Sequence, residues 1–393
     1  MNNSKLILLI WLSVLVLSPA LIFQPKFSDE LAHAEEIIRL INNDYTLVST
    51  LTVLPGYHFI IASTAELLHI DRMPWLRLLS LVICSVFSLF VFNKLVNNDN
   101  DKLLTFFYFP IIFPFYFLLY TDIFSMCMVL FAFYFMTRKQ YWVSSFFAFL
   151  SITVRQNNII WLGFIMAYLW IDKYKFEINL DNIKKYIGII KGYILVIMLF
   201  FIFIIYNKGI VMGDRTSHPI SFHLGNFWAF LFIYFFLFLP ENLFKIKQLL
   251  LFIKNNKSCL VLIPGMFSLG YITLSNTHPY NQYSVFIHNK IMMFATSNFV
   301  NEFIFLSIAI YAFMIILMDA DKQGPQEHLI YIFGFIYIGL SWMVEFRYYF
   351  IIFAFIILFK QKNNKLINWY TIIYYILINI IMILGMSVWK IFW

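Results

Sequence analysis

The residues of this sequence that could do chemistry lie in short polar stretches of an otherwise apolar chain, which is 62% hydrophobic and only 12% charged. These stretches combine carboxylates with arginines, histidines and amides. An arginine fork binds a phosphate or carboxylate through two parallel hydrogen bonds, and a carboxylate can act as a general base. The stretches are FSDELAH (27–33), YTD (120–122), RQNNIIW (155–161), GDRTSH (213–218), and THPYNQY (277–283) taken with EFRYY (345–349).

The elements that position these residues must lie in a membrane. A mean hydropathy of +0.80 with 21% aromatic residues excludes a soluble globule. Spans across lipid must be helical, because open strand edges would leave backbone groups unpaired in hydrocarbon. We therefore expect an all-α polytopic membrane protein with about eleven to fourteen transmembrane helices in a single integral membrane domain over residues 1–393. The first apolar run, Leu6 to Phe23, is interpreted as a retained helix rather than a cleaved signal peptide.

The distribution of basic residues predicts the orientation. With the N-terminus in the cytoplasm, 18 of the 28 Lys and Arg residues are cytoplasmic, as the positive-inside rule requires. The net charge of +8 is explained in this way, and no nucleic-acid partner is expected. Arginines depart from this bias, since six of the seven are external, which suggests a phosphate or carboxylate ligand on that side. They are Arg39, Arg72, Arg77, Arg155, Arg215 and Arg347.

This orientation divides the chain into loops and linkers. The first external loop is the longest and is expected to carry interfacial helices. The predicted segments are the first external loop 24–73, the cytoplasmic linker 172–191, and the external loops 207–225 and 275–302. DND (99–101) and DAD (319–321) resemble metal-binding Asp-x-Asp pairs, but they fall on the cytoplasmic side and are interpreted as solvated loops.

All the polar stretches fall on the external side, which favours a lipid-linked phosphate substrate such as a polyprenyl-phosphate sugar. A phosphate leaves as a stabilised anion, so a cationic fork can replace the acid that a glycoside hydrolase needs. One base is then sufficient, and a single displacement inverts the sugar carbon. The alternative is a transporter or flippase of a lipid-linked sugar, which is expected to carry ionisable residues near the bilayer midplane.

The order of the motifs resembles that of the dolichyl-phosphate-glucose α-1,2-glucosyltransferases, which add the terminal glucose to the lipid-linked oligosaccharide of N-glycosylation. DELAH and LTVLPGYH (51–58) are similar to that family's first-loop motifs, Asp-Glu-x-Phe-His and a Leu-Pro-Gly turn. YTD, RQNNIIW, GDRTSH and EFRYY follow in the same order as their family counterparts. The chain departs from the family at Ala32, where the family has Phe, and at 46–53, where the family has Trp-Asp-Pro.

The resemblance implies a GT-C type glycosyltransferase that moves glucose, or a related hexose, from a polyprenyl- or dolichyl-phosphate donor to a lipid-linked oligosaccharide acceptor. It implies an α-1,2 linkage, no metal or cofactor, and a site facing the endoplasmic reticulum lumen, with a bacterial inner membrane and periplasmic site as the alternative. The implied base is Asp29, with Glu30 as the alternative. The candidates for the donor phosphate are Arg155, Arg215 and Arg347, and those for substrate positioning are His33, Asp122, Asp214, His218, His278 and Glu345.

Overall fold

The structure, a computed structural model, describes residues 3–213, 215, 221–282, 289–361 and 364–388. No β-strand occurs in these residues, which confirms the expected all-α fold. They form nineteen α-helices: α1 Asn3–Ile22, α2 Glu30–Ile41, α3 Gly56–Leu67, α4 Met73–Leu95, α5 Asn100–Phe107, α6 Thr121–Thr137, α7 Tyr141–Val154, α8 Ile159–Tyr174, α9 Leu180–Ile189, α10 Lys191–Asn207, α11 Gly225–Leu237, α12 Leu239–Phe244, α13 Ile246–Asn255, α14 Cys259–Thr273, α15 Lys290–Ala295, α16 Phe299–Ala320, α17 Pro325–Gly339, α18 Phe350–Phe359 and α19 Lys365–Ser387. Four short 3-10 helices complete them: Phe113–Phe117, Gln156–Asn158, Pro279–Asn281 and Phe346–Tyr349.

The chain is a multi-pass membrane protein. Within the described ranges four helices, α1, α4, α16 and α19, are long and apolar enough to cross a bilayer. The count rises to six if two bent pairs, α9 with α10 and α13 with α14, each form one span. The apolar stretch 103–119 is divided between α5 and a 3-10 helix, because Pro110 and Pro114 interrupt it. The predicted total of eleven to fourteen spans stays a prediction.

Helix directions bring several of the polar stretches to one end of the bundle. Helices α6 and α7 pack side by side and are joined by a three-residue turn, 138–140. Asp122 opens the first helix and Arg155 follows the second, so both side chains lie at the same end. Arg347 lies just before α18, whose ten residues place the other end of that helix about 15 Å away.

A buried ion pair between Glu30 and Arg77 fixes the first external loop to the bundle. Neither side chain has exposed surface, and Arg77 Nε and Nη2 lie 2.8 and 2.5 Å from the two carboxylate oxygens. Arg77 also donates to four carbonyl groups between residues 21 and 25, at the end of α1. Glu30 accepts from the amides of Phe27 and Leu119 as well. The pair therefore joins α1, α2, α4 and the segment before α6.

The two Asp-x-Asp segments are structural, which corrects their interpretation as solvated loops. The Asp99 carboxylate caps α5 by accepting from the amides of residues 101 and 102. Asp101 accepts from Asn368 at 3.1 Å, and Asp319 forms a 2.6 Å ion pair with Lys245 in which both side chains are largely buried. Asp99 thus stabilises its own helix and Asp101 and Asp319 tie neighbouring segments together, while Asp321 is exposed as expected.

Replacing Arg77 with methionine is expected to lower the free energy of unfolding by about 3–5 kcal/mol, because the Glu30 carboxylate would stay buried without its cation. The measurement is thermal unfolding of the purified protein in detergent. Arg72→Met, at an exposed position just before α4, is the matched control and should change stability by about 0.5 kcal/mol or less. Equal melting temperatures for the two variants would contradict the role given to the pair.

Candidate active site

Arg347 is the centre of a polar cluster at one end of the helix bundle. It lies in the 3-10 helix before α18 and is only 8% exposed. Its guanidinium faces three carboxylates: Asp29 at 2.6 Å, Asp122 at 3.7 Å, and Glu345, which accepts from Nε and Nη2. The guanidinium carbon also lies 4.8 Å from the centre of the Tyr120 ring. One buried cation thus gathers acids from three distant parts of the sequence.

Arg155 is the second cation of the cluster. Its Nη2 lies 2.8 Å from Asp122, and its Nε donates to the Thr121 hydroxyl at 3.2 Å. The Asp122 side chain is 1% exposed and so bridges two arginines. It lies in the first turn of α6, where the helix dipole favours a negative charge. YTD, RQNNIIW, EFRYY and the aspartate of FSDELAH therefore meet in one site.

The two adjacent candidates for the base have different environments. Asp29 precedes α2, and its side chain is 32% exposed where it meets Arg347. Glu30 has no exposed surface, and its oxygens accept from the Arg77 guanidinium and from two backbone amides. Of the two carboxylates, Asp29 alone is open to an approaching substrate.

Three asparagines hold the loop before α18, which carries Glu345 and Arg347. Asn226 donates to two carbonyl groups of the segment 341–343. Asn281 exchanges two hydrogen bonds with the backbone of Val344, at 2.9 and 3.0 Å, and Asn289 donates to the same carbonyl. Sequence reasoning missed Asn226 and Asn289, since a single amide beside an apolar run forms no motif. Asn281 lies within THPYNQY, which was singled out without a role for its amide.

Glu345 has the most perturbed carboxylate of the cluster. Burial raises its pKa to about 7, an effect that Arg347 opposes and that the negative charges of Asp29 and Asp122 increase. Near neutral pH this group can therefore exchange between the charged and the neutral form. In the described part of the chain no three His, Cys, Asp or Glu side chains are grouped as metal ligands.

His33 lies behind the cluster rather than on its open face. Its Nδ1 is 2.9 Å from Nε2 of His58, and its ring meets that of Tyr120 edge to face at 5.5 Å. Burial, with help from Arg347 and Arg155, lowers the pKa of His33 to about 3, so the ring is neutral.

The structure does not bring Arg215 and His278 to the Arg347 cluster. Arg215 is exposed and donates to Asn207, at 2.5 Å to the carbonyl and 3.0 Å to the side chain. His278 is buried and packs edge to face against Trp342 at 4.8 Å. The candidates Asp214 and His218 lie outside the described residues.

The start of GDRTSH is nevertheless docked on the first external loop. Gly213 has a positive φ of 38°, and a Cβ there would lie 2.3 Å from the Leu51 carbonyl oxygen. Only glycine tolerates this combination of backbone angle and close approach. The amide of Met212 also donates to the carbonyl of Thr52, which accepts from Gln156 as well. The stretch therefore begins beside the loop that carries Asp29.

The comparisons with known proteins agree with these motifs. The sequence profile of the DIE2/ALG10 family matches residues 23–185 and 169–358. A curated Dol-P-Glc:Glc(2)Man(9)GlcNAc(2)-PP-Dol alpha-1,2-glucosyltransferase of Candida albicans is 32% identical over 268 residues, covering 61% of this chain and 57% of the relative. Proteins of the same name from Kluyveromyces lactis and Mus musculus are 25% and 26% identical, covering 65% and 57% of this chain.

The matched regions span 53–60% of the length of these three relatives. No solved structure matches the chain. The family profile covers all the motifs of the Arg347 cluster and of GDRTSH, so it confirms the resemblance drawn from them. The chain therefore belongs to the DIE2/ALG10 family.

Proposed function

We propose that this protein transfers glucose from dolichyl-phosphate glucose to a lipid-linked oligosaccharide and forms an α-1,2 linkage. The relatives carry this activity in their names. The observation that supports it best is the direct pairing of the partly exposed Asp29 with the buried Arg347. A carboxylate that can act as a base then lies beside a cation that can bind a phosphate. No specific observation favours the transporter alternative.

In the proposed reaction the acceptor hydroxyl attacks the anomeric carbon of the donor sugar. Asp29 takes the hydroxyl proton, the new bond forms between the acceptor oxygen and the anomeric carbon, and the bond from that carbon to the phosphate oxygen breaks. Arg347 and Arg155 stabilise the negative charge on the departing phosphate. Asp122 holds both guanidinium groups in place through its two ion pairs.

We further propose a GT-C fold in the endoplasmic reticulum membrane with the site on the lumenal face. Support comes from the ends of individual helices. Arg77 lies near the start of α4 and Lys94 at its end, and Arg347 precedes α18 while Lys360 follows it. Of the 28 Lys and Arg residues, 18 fall on the side of Lys94 and Lys360, and the positive-inside rule makes that side cytoplasmic.

Asp29→Asn is expected to lower kcat by about 10²–10⁴-fold while the protein still binds the donor, because the amide cannot accept the hydroxyl proton. The assay measures glucose transfer from dolichyl-phosphate glucose to the lipid-linked acceptor. Asp44→Asn is the matched control, since Asp44 lies in the same loop, is exposed and bonds only to Thr46 among the described residues. An Asp29→Asn protein with full kcat would show that Asp29 is not the base.

Replacing Arg347 or Arg155 with lysine is expected to raise the donor KM by about 10–100-fold, because a lysine keeps the charge and loses the planar fork. Steady-state kinetics with varied donor concentration measures the change. Arg39→Lys, whose arginine is paired with Glu35 on the surface of α2, should leave the donor KM unchanged. Equal KM values for all three variants would argue against a phosphate at these arginines.

The proposed orientation can be tested with introduced cysteines, because the three native cysteines are buried. Asn42 and Lys184 are exposed, one in the first external loop and one in the predicted cytoplasmic linker. In sealed microsomes an impermeant maleimide should label Lys184→Cys at once and Asn42→Cys only after permeabilisation. The reverse pattern would place the Arg347 cluster in the cytoplasm.

A further inference from the structure

Every hydrogen-bonding edge of the Arg347 guanidinium faces a carboxylate. Nε and Nη2 point to Glu345, Nη2 also lies 2.6 Å from Asp29, and Nη1 lies 3.7 Å from Asp122. This inference rests on the proposed function, in which a donor phosphate binds Arg347. A phosphate oxygen can reach the fork only after one of the three carboxylates gives up its place.

The contacts of the three acids identify Glu345 as the one that a phosphate displaces from Arg347. Asp122 is 1% exposed and is bound to Arg155 as well, so moving it would leave a second buried cation unpaired. Asp29 must stay ionised and in place to act as the base. The Glu345 carboxylate occupies the edge made by Nε and Nη2, the edge suited to bidentate contact, and among the described residues its hydrogen bonds and ion pairs go to Arg347 alone.

The charges of the cluster limit which anions can enter. Three carboxylates and two guanidinium groups carry a net charge of −1 when all are ionised. With a bound phosphodiester the net charge of the cluster becomes −2, and with a doubly charged phosphate monoester it becomes −3. Each further negative charge in a buried cluster is repelled by those already there, so the binding of the monoester is weakened more than that of the diester.

We propose that Glu345 holds the place of the donor phosphate on Arg347 and so makes the site select a singly charged phosphodiester over a doubly charged phosphate monoester. The monoester is the lipid product left after the sugar has been transferred, and its second pKa is about 6. Repulsion by Glu345 therefore favours release of the product over rebinding.

The neighbourhood of Glu345 supports an exchange between its charged and neutral forms. Its pKa of about 7 follows first from burial. The charged groups that act on it are Arg347, Asp29, Asp122 and Arg155, and the buried tyrosines Tyr120, Tyr348 and Tyr349 lie close enough to interact with it. At pH 8, above this pKa, the Glu345 carboxylate is mainly charged, so it repels an anion that binds beside it.

The experiment measures the binding of two probes, polyprenyl-phosphate glucose and the polyprenyl phosphate with the same chain length, to the full chain in nanodiscs at pH 8. We expect the wild type to bind the phosphodiester with a lower Kd than the monoester. Glu345→Gln should reduce the ratio of the two Kd values by about tenfold, because the variant removes the repulsion of one negative charge on the diester and of two on the monoester. Asp44→Asn is the control and should keep the wild-type preference.

A second measurement needs no variant. Binding of the two probes to the wild type at pH 8 and at pH 6 gives the preference at each pH, and we expect a smaller preference at pH 6, where Glu345 and the monoester both carry less negative charge. Unchanged selectivity in Glu345→Gln, or a wild-type preference that does not change with pH, would overturn the role of Glu345 while glucose transfer by the wild type kept the proposed function. A wild type that binds neither probe would overturn both.

Discussion

The burial of Arg347 is the constraint on which the rest of the site depends. A guanidinium with 8% of its surface exposed must be matched by negative charge, because an unpaired buried cation is strongly destabilising. The matching acids, Asp29, Asp122 and Glu345, belong to three segments that are far apart in sequence. Satisfying this one side chain therefore brings the first external loop, the start of α6 and the start of α18 to a single point.

Glu30 and Asp29, the two neighbouring carboxylates of the first loop, have different roles. The Glu30 carboxylate is fully paired with Arg77 and with backbone amides, so it fixes the position of the backbone next to Asp29. Asp29 keeps a third of its side chain exposed and makes its ion pair with Arg347. Because one peptide bond separates the two, the rigidity of the first pair passes directly to the second. In the proposed reaction, a carboxylate held in this way needs little rearrangement to act as the base.

Much of this arrangement could be predicted from the sequence, because charge is scarce in an apolar chain and stands out. The all-α fold and the polar stretches that meet at Arg347 were predicted from composition and motifs. The function of Glu30 could not be, since its partner Arg77 is 47 residues away in α4 and no local pattern links them. Asn226 and Asn289 were missed for the same reason, since each bonds to the distant segment 341–344. Asp99 and Asp319 looked solvated because capping and ion pairing across helices depend on tertiary contacts.

An excess of carboxylates around two arginines looks unsuited to an anionic substrate, yet it solves a problem of the empty site. Arginines kept dry and unpaired between reaction cycles would destabilise the bundle, whereas their own acids neutralise them while no donor is present. In the proposed exchange the donor phosphate takes the place of Glu345 on Arg347, so the buried cation keeps an anionic partner. Because the displaced acid competes for the same fork, the phosphate is held only as tightly as the exchange allows. The proposed transfer leaves a lipid phosphate in every cycle, and this moderate affinity suits its release better than bare arginines would.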